Sequence, residues 1–148
     1  MATKPGLQRG DAKQDTAMCP IATIDAEFNS KNRNLAIENH GYGPMNPDET
    51  NTAFWKGIAE LWNLTPAQAK ASRCGNCAAF IQTQDMLECI AGHLGLDDDY
   101  PAEGWKAMRD NREKIVMASG LGYCQTFAFK CAADRTCRSW LHGGPITE

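Results

Sequence analysis

Two stretches decide how this chain is read: RCGNCAAF at residues 73–80 and GYCQTFAFKCAADRTCRSW at residues 122–140. Together they hold Cys74, Cys77, Cys124, Cys131 and Cys137, five of the seven cysteines in 148 residues. A C-x-x-C turn brings two thiolates to one metal or cluster, and the glycine and asparagine between them suit a tight turn whose amides point at sulfur. An iron–sulfur cluster takes four such thiolates from loops able to converge. Phe80, Phe127 and Trp140 each stand three residues after a cysteine, where they could wall a cluster from water. The same positions also suit plain core packing.

Working outward, Cys19 and Cys89 complete the set, and six of the seven cysteines fall after residue 73. Clustered cysteines in a reducing compartment mean metal binding more often than disulfides. An odd total leaves at least one without a partner in the chain. Zinc would need four donors in tetrahedral array. Only one C-x-x-C knuckle is present, with His93 and His142 as further donors, so zinc and a disulfide-stabilised module stay open beside the cluster. A redox-active Cys74–Cys77 pair would want a βαβ context that the chain lacks.

The patterns C-x-x-C-x-x-F, G-x-C-x-x-F and C-x-x-W, as they stand at residues 74–80, 122–127 and 137–140, resemble the binding pattern of high-potential iron–sulfur proteins. Those are small, irregular proteins holding one [4Fe-4S] cluster in an apolar pocket and passing single electrons. The resemblance spans roughly residues 66–141 and implies Cys74, Cys77, Cys124 and Cys137 as ligands, with Phe80, Phe127 and Trp140 as pocket walls. The interval from Cys77 to Cys124 is longer than the family's, with an added helix around Trp105. Cys89 and Cys131 fall outside the pattern, leaving them for a disulfide with each other or for one to replace a named ligand. Mutating Cys74 or Cys137 to Ser should therefore destabilise the domain far more than Cys19→Ser.

Residues 1–50 are polar and turn-rich, with Met18, Ile21, Ile24 and Phe28 as one short contact segment. They read as an extended N-terminal arm ahead of a cysteine-rich domain at 51–148. Phe54, Ile58, Leu61 and Trp62 form an apolar helical face, with Asp48, Thr50 or Asn51 to cap it. Thr65-Pro66 opens an alanine-rich helix. Thr83 caps another carrying Met86, Leu87 and Ile90, and a further helix is predicted from about 102 to 118. Strand-like residues 123–130, a turn at 133–135 and a segment at 137–140 predict a small hairpin. The fold class is thus a small, irregular α+β domain: short helices and a C-terminal β-hairpin around a cysteine-ligated cluster.

A net charge of −3, with 15 basic and 18 acidic residues mixed along the chain, gives no general attraction to nucleic acid or anionic lipid. No run approaches the roughly 20 apolar residues of a membrane span, and the polar first 20 residues do not read as a secretory signal. A cytoplasmic protein, or one in a virion assembled in a bacterial cytoplasm, is expected. No catalytic motif is visible, and four-cysteine ligation leaves no open iron site, so an enzyme is not expected. Two functions follow: a structural component stapled by its cluster, such as a phage capsid decoration or connector bound through its arm, or a soluble one-electron carrier with a redox partner.

Overall fold

In a computed structural model of the chain, residues 19–92 and 116–148 are described. The protein is a small α+β fold. Its helices are α1 (Ile21–Ile24), α2 (Ala26–His40), α3 (Thr52–Trp62), α4 (Pro66–Ala71) and α5 (Gln84–Gly92). Strands β1 (Phe80–Ile81), β2 (Leu121–Cys124) and β3 (Phe129–Ala132) form an antiparallel sheet in the order β1-β2-β3. No helix among the described residues is long and apolar enough to cross a membrane.

Each of the three expected helical starts is present. Thr65 Oγ1 accepts from Gln68 N at 3.1 Å, and Gln68 Oε1 accepts from Thr65 N at 2.9 Å, a reciprocal box that holds the first turn of α4. Thr83 Oγ1 accepts from Met86 N at the start of α5. Asn51 occupies the cap position of α3 but its side chain makes no cap bond, donating instead to the Asn46 and Glu49 carbonyls. The buried face of α3 is Trp55, Ile58 and Ala59, packed on Ala69 of α4, with Phe54 and Trp62 partly covered. Leu61, expected on that face, is 59% exposed. The predicted helix at 102–118 lies mostly outside the described residues, as does Trp105; Val116–Ala118 are helical and Val116 packs on Leu87, Ile90 and Ala91 of α5.

The N-terminal region departs from the expected extended arm. Residues 1–18 lie outside the described residues, whereas 19–50 fold as α1, α2 and a turn region. Asp25 caps α2 by accepting from Glu27 N and Phe28 N, and Gly41, at φ 65°, ends it in the left-handed conformation that glycine adopts without strain. Only Ala36 of α2 is buried. The helix docks instead by polar contacts: Asn29 Oδ1 accepts from Lys130 N at 2.7 Å, and Asn32 Nδ2 donates to the Ala128 carbonyl at 2.7 Å. These satisfy the outer edge of β3, which would otherwise present unpaired backbone groups. In α1 the buried residues are Ala22 and Thr23, while Ile21 and Ile24 are exposed, the reverse of the expected contact face. Ala36 and Tyr42 belong to the same core as Cys74, Cys77 and Cys131.

The hairpin is also shifted. Its strands are β2 and β3, joined through residues 125–128, and the 133–141 segment is a loop that folds back over the sheet. Gly122 faces Cys131 and Cys124 faces Phe129 in the register.

Candidate functional site

The segment after α4 forms one turn of 3-10 helix, Cys74–Asn76, closed by Cys77 N donating to the Cys74 carbonyl. This turn is tied to the 133–141 loop along its length. Cys74 N donates to the Arg135 carbonyl, Gly75 N to Ala133, and Ala78 N to Leu141. Trp140 Nε1 reaches back to the Arg73 carbonyl at 2.9 Å and to Asn76 Oδ1 at 3.0 Å. The C-x-x-C turn and the C-x-x-W segment, 60 residues apart in sequence, thus form one two-layered loop unit.

Between that unit and the sheet lies an apolar cavity. Cys74, Cys77, Cys124, Cys131, Cys137, Phe80 and Trp140 line it, together with Ala79. All four expected ligands therefore meet at one place. Cys74, Cys77 and Cys131 are buried and Cys124 and Cys137 half-buried, and all five are free thiols. Phe80, 1% exposed, and Trp140 wall the cavity as expected. Phe127 does not line it; its ring stacks on His40 at 4.1 Å outside, while its amide serves the site. Gly122 has a steric reason: a Cβ there would run into the Phe80 ring.

Backbone amides point at the sulfurs. Cys77 Sγ accepts from Ala79 N and Leu141 N, each at 3.5 Å, and Cys124 Sγ from Phe127 N at 3.4 Å. Such bonds favour the thiolate and tune the potential of a bound cluster. A hydrogen bond from the Cys131 thiol brings Cys124 down to about 7, against the opposing effect of burial. Cys131 itself is held well above its ordinary value by sharing its proton with Cys124 and Cys74 and by burial. Burial pushes Cys137 up to about 12, partly offset by the Ser139 amide.

Two cysteine expectations are corrected. Cys89 is bonded to Cys19, not to Cys131, because α1 packs on α5 and sets the two side by side. Cys19 is therefore part of a staple, which removes the basis for expecting Cys19→Ser to destabilise far less than Cys74→Ser or Cys137→Ser. Cys131, freed from that role, stands on the inner face of β3 as the cavity's fifth thiol; alternation along the strand, with Phe129 and Cys131 both buried, was the signal that could have placed it there. Of the histidines named as zinc donors, His93 lies outside the described residues and His142 is exposed, its ring edge-on to Trp140.

Among the described residues no three His, Cys, Asp or Glu side chains are set to hold a single ion. A bare zinc needs four donors about 2.0–2.3 Å from one centre. The thiols instead stand around the walls of a cavity, which fits a group that presents a separate iron to each thiolate. The donor set is all sulfur, the walls are apolar and amides face the sulfurs of Cys77 and Cys124, chemistry that suits an iron–sulfur group. No family model matches this chain, and neither the curated proteins nor the solved structures include a match to it.

Proposed function

We propose that this is an iron–sulfur protein in which one [4Fe-4S] cluster, held by Cys74, Cys77, Cys124 and Cys137, staples a small domain that serves as a structural component of a larger assembly. The observation that carries it is the thiol-walled cavity at the centre of the core. The cluster supplies four metal–thiolate bonds there. The chain's own residues do the rest: Phe80 and Trp140 exclude water, and the amides of Ala79, Phe127 and Leu141 hold the sulfurs as acceptors. The two loops that bring Cys74, Cys77 and Cys137 to the cavity have little regular structure of their own, so metal–ligand energy becomes folding energy. Binding also releases protons, since the buried Cys137 thiol is neutral at pH 7.

The Cys19–Cys89 disulfide bears on where such a protein works. Disulfides persist in oxidising surroundings, virion surfaces among them, and are rare in the cytosol. A cluster acquired in a bacterial cytoplasm and a disulfide closed after release would suit a virion component. One feature favours the one-electron carrier instead: the Trp140 ring, on the cavity wall, lies 5.9 Å from that of half-buried Trp62, a path from the site to the surface.

The test is absorption and iron analysis of protein purified without oxygen. A broad band near 400 nm and about four irons per chain is expected for a [4Fe-4S] group. Colourless, iron-free protein would sink the cluster, and zinc analysis would follow. Stoichiometric copurification with a particle then supports the assembly role, and a soluble monomer with a reversible redox couple the carrier.

A further inference from the structure

We propose that Cys131 is a reserve ligand of this site, placed to take over from Cys124 or Cys74 when either sulfur is lost. The inference rests on the cluster reading above. Five thiols surround a group that uses four. Cys131 is 2% exposed, lines the same cavity, and its sulfur is within hydrogen-bond reach of both Cys124 and Cys74. It therefore stands beside two of the four ligand positions. The hydrogen bonds to the Cys77 and Cys137 sulfurs come from backbone amides.

The strands also keep the spare thiol from being consumed. Cys131 is paired with Gly122 and Cys124 with Phe129, so the two cysteines are diagonal neighbours across β2 and β3. Diagonal positions stand about 7–8 Å apart, beyond the roughly 4.4–6.8 Å between Cα atoms that a disulfide usually spans. The sheet thus holds the sulfurs close while disfavouring their oxidation to a disulfide. Exchange swaps one thiolate for another: Cys131 gives its proton to the departing Cys124 sulfur, and no oxidant or reductant is involved. Where Cys124 has been mutated away, the proton passes to solvent.

The test uses the full chain purified without oxygen, with iron per chain, visible absorption and far-ultraviolet circular dichroism as readouts. Cys124→Ala should keep about half or more of the wild-type iron, whereas Cys124→Ala/Cys131→Ala and Cys137→Ala should keep less than about a tenth, since four thiolates are needed. A folded Cys124→Ala protein without iron, or a double variant loaded as well as the single, overturns the proposal. Should Cys124→Ala not fold, the same comparison is made with Cys74→Ala, and loss of iron or fold in both single variants overturns it too. Iron-free wild-type protein overturns the cluster reading and this proposal together; loaded wild type with empty single variants overturns the reserve ligand alone.

Discussion

Gly122→Ala probes the wall of the cavity from behind. A Cβ at Gly122 would press on the Phe80 ring, with Cε2 at 2.9 Å and two further ring atoms nearer still. Phe80 cannot yield easily. It is 1% exposed, and its strand is paired with β2 and bridged through Ile81 to Ile146. Overpacking of this kind costs about 1–3 kcal/mol. Alanine recovers about 0.5–1 kcal/mol over glycine in a strand by restricting the unfolded chain. The clash wins, and a net loss of about 1–2 kcal/mol is expected. Phe80→Leu shortens the group that is struck, so it should cost less in the Gly122→Ala background than alone. Urea midpoints of the four proteins of this cycle, with equal slopes, give the coupling. A value of about 1 kcal/mol or more is expected, and one below about 0.5 kcal/mol would refute the contact as the reason for the glycine.

The docking of α2 predicts that Asn29→Ala and Asn32→Ala each cost about 0.5–1.5 kcal/mol, because Lys130 N and the Ala128 carbonyl lose their partners; exposed Arg33→Ala, measured in the same way, should stay within about 0.5 kcal/mol of wild type. Cys19→Ser/Cys89→Ser opens a closure of 70 residues and should cost up to about 4 kcal/mol in denaturant. Iron per chain should not change, as neither sulfur is at the cavity; loss of iron would place the disulfide within the site's own folding unit. In metal-free protein, Cys137 is raised from its ordinary 9.0 to about 12 by burial. A folded value above the unfolded one favours the neutral thiol, so its contribution is whole below pH 9 and lost as pH rises toward 12. Denaturation midpoints should fall over that window, and fall less steeply in Cys137→Ala; parallel curves would count against burial of this thiol.

The start of helix α4 was legible because its signals are local: a capping threonine and a proline at the first position. Helix α2 was missed because its apolar residues form no stripe, although Asp25 and Gly41 are local start and stop signals. Two of its asparagines bind the edge of a strand about a hundred residues away. The hairpin was misplaced for a related reason. Its turn carries no glycine, proline or asparagine, and Ala128 takes φ 55°, a conformation it adopts while Asn32 of α2 holds its carbonyl. At the site, the spacing of the motifs brought out Cys74, Cys77, Cys124 and Cys137 together with Phe80 and Trp140, all of which line one cavity. Phe127 carried the same spacing but points elsewhere, since its role is met by its amide.

What the sequence determined by itself is the chemistry available and some short-range structure: which sulfurs exist, the turn between Cys74 and Cys77, and the capped starts of α4 and α5. Those depend on residues three or four apart. Only the tertiary structure decided the pairing of the remaining cysteines. Cys89 meets Cys19 because α1 lies on α5, and Cys131 faces the cavity because β3 turns that side of the strand inward. Such contacts join segments tens of residues apart, and their geometry is set by packing of whole elements, which no spacing along the chain records.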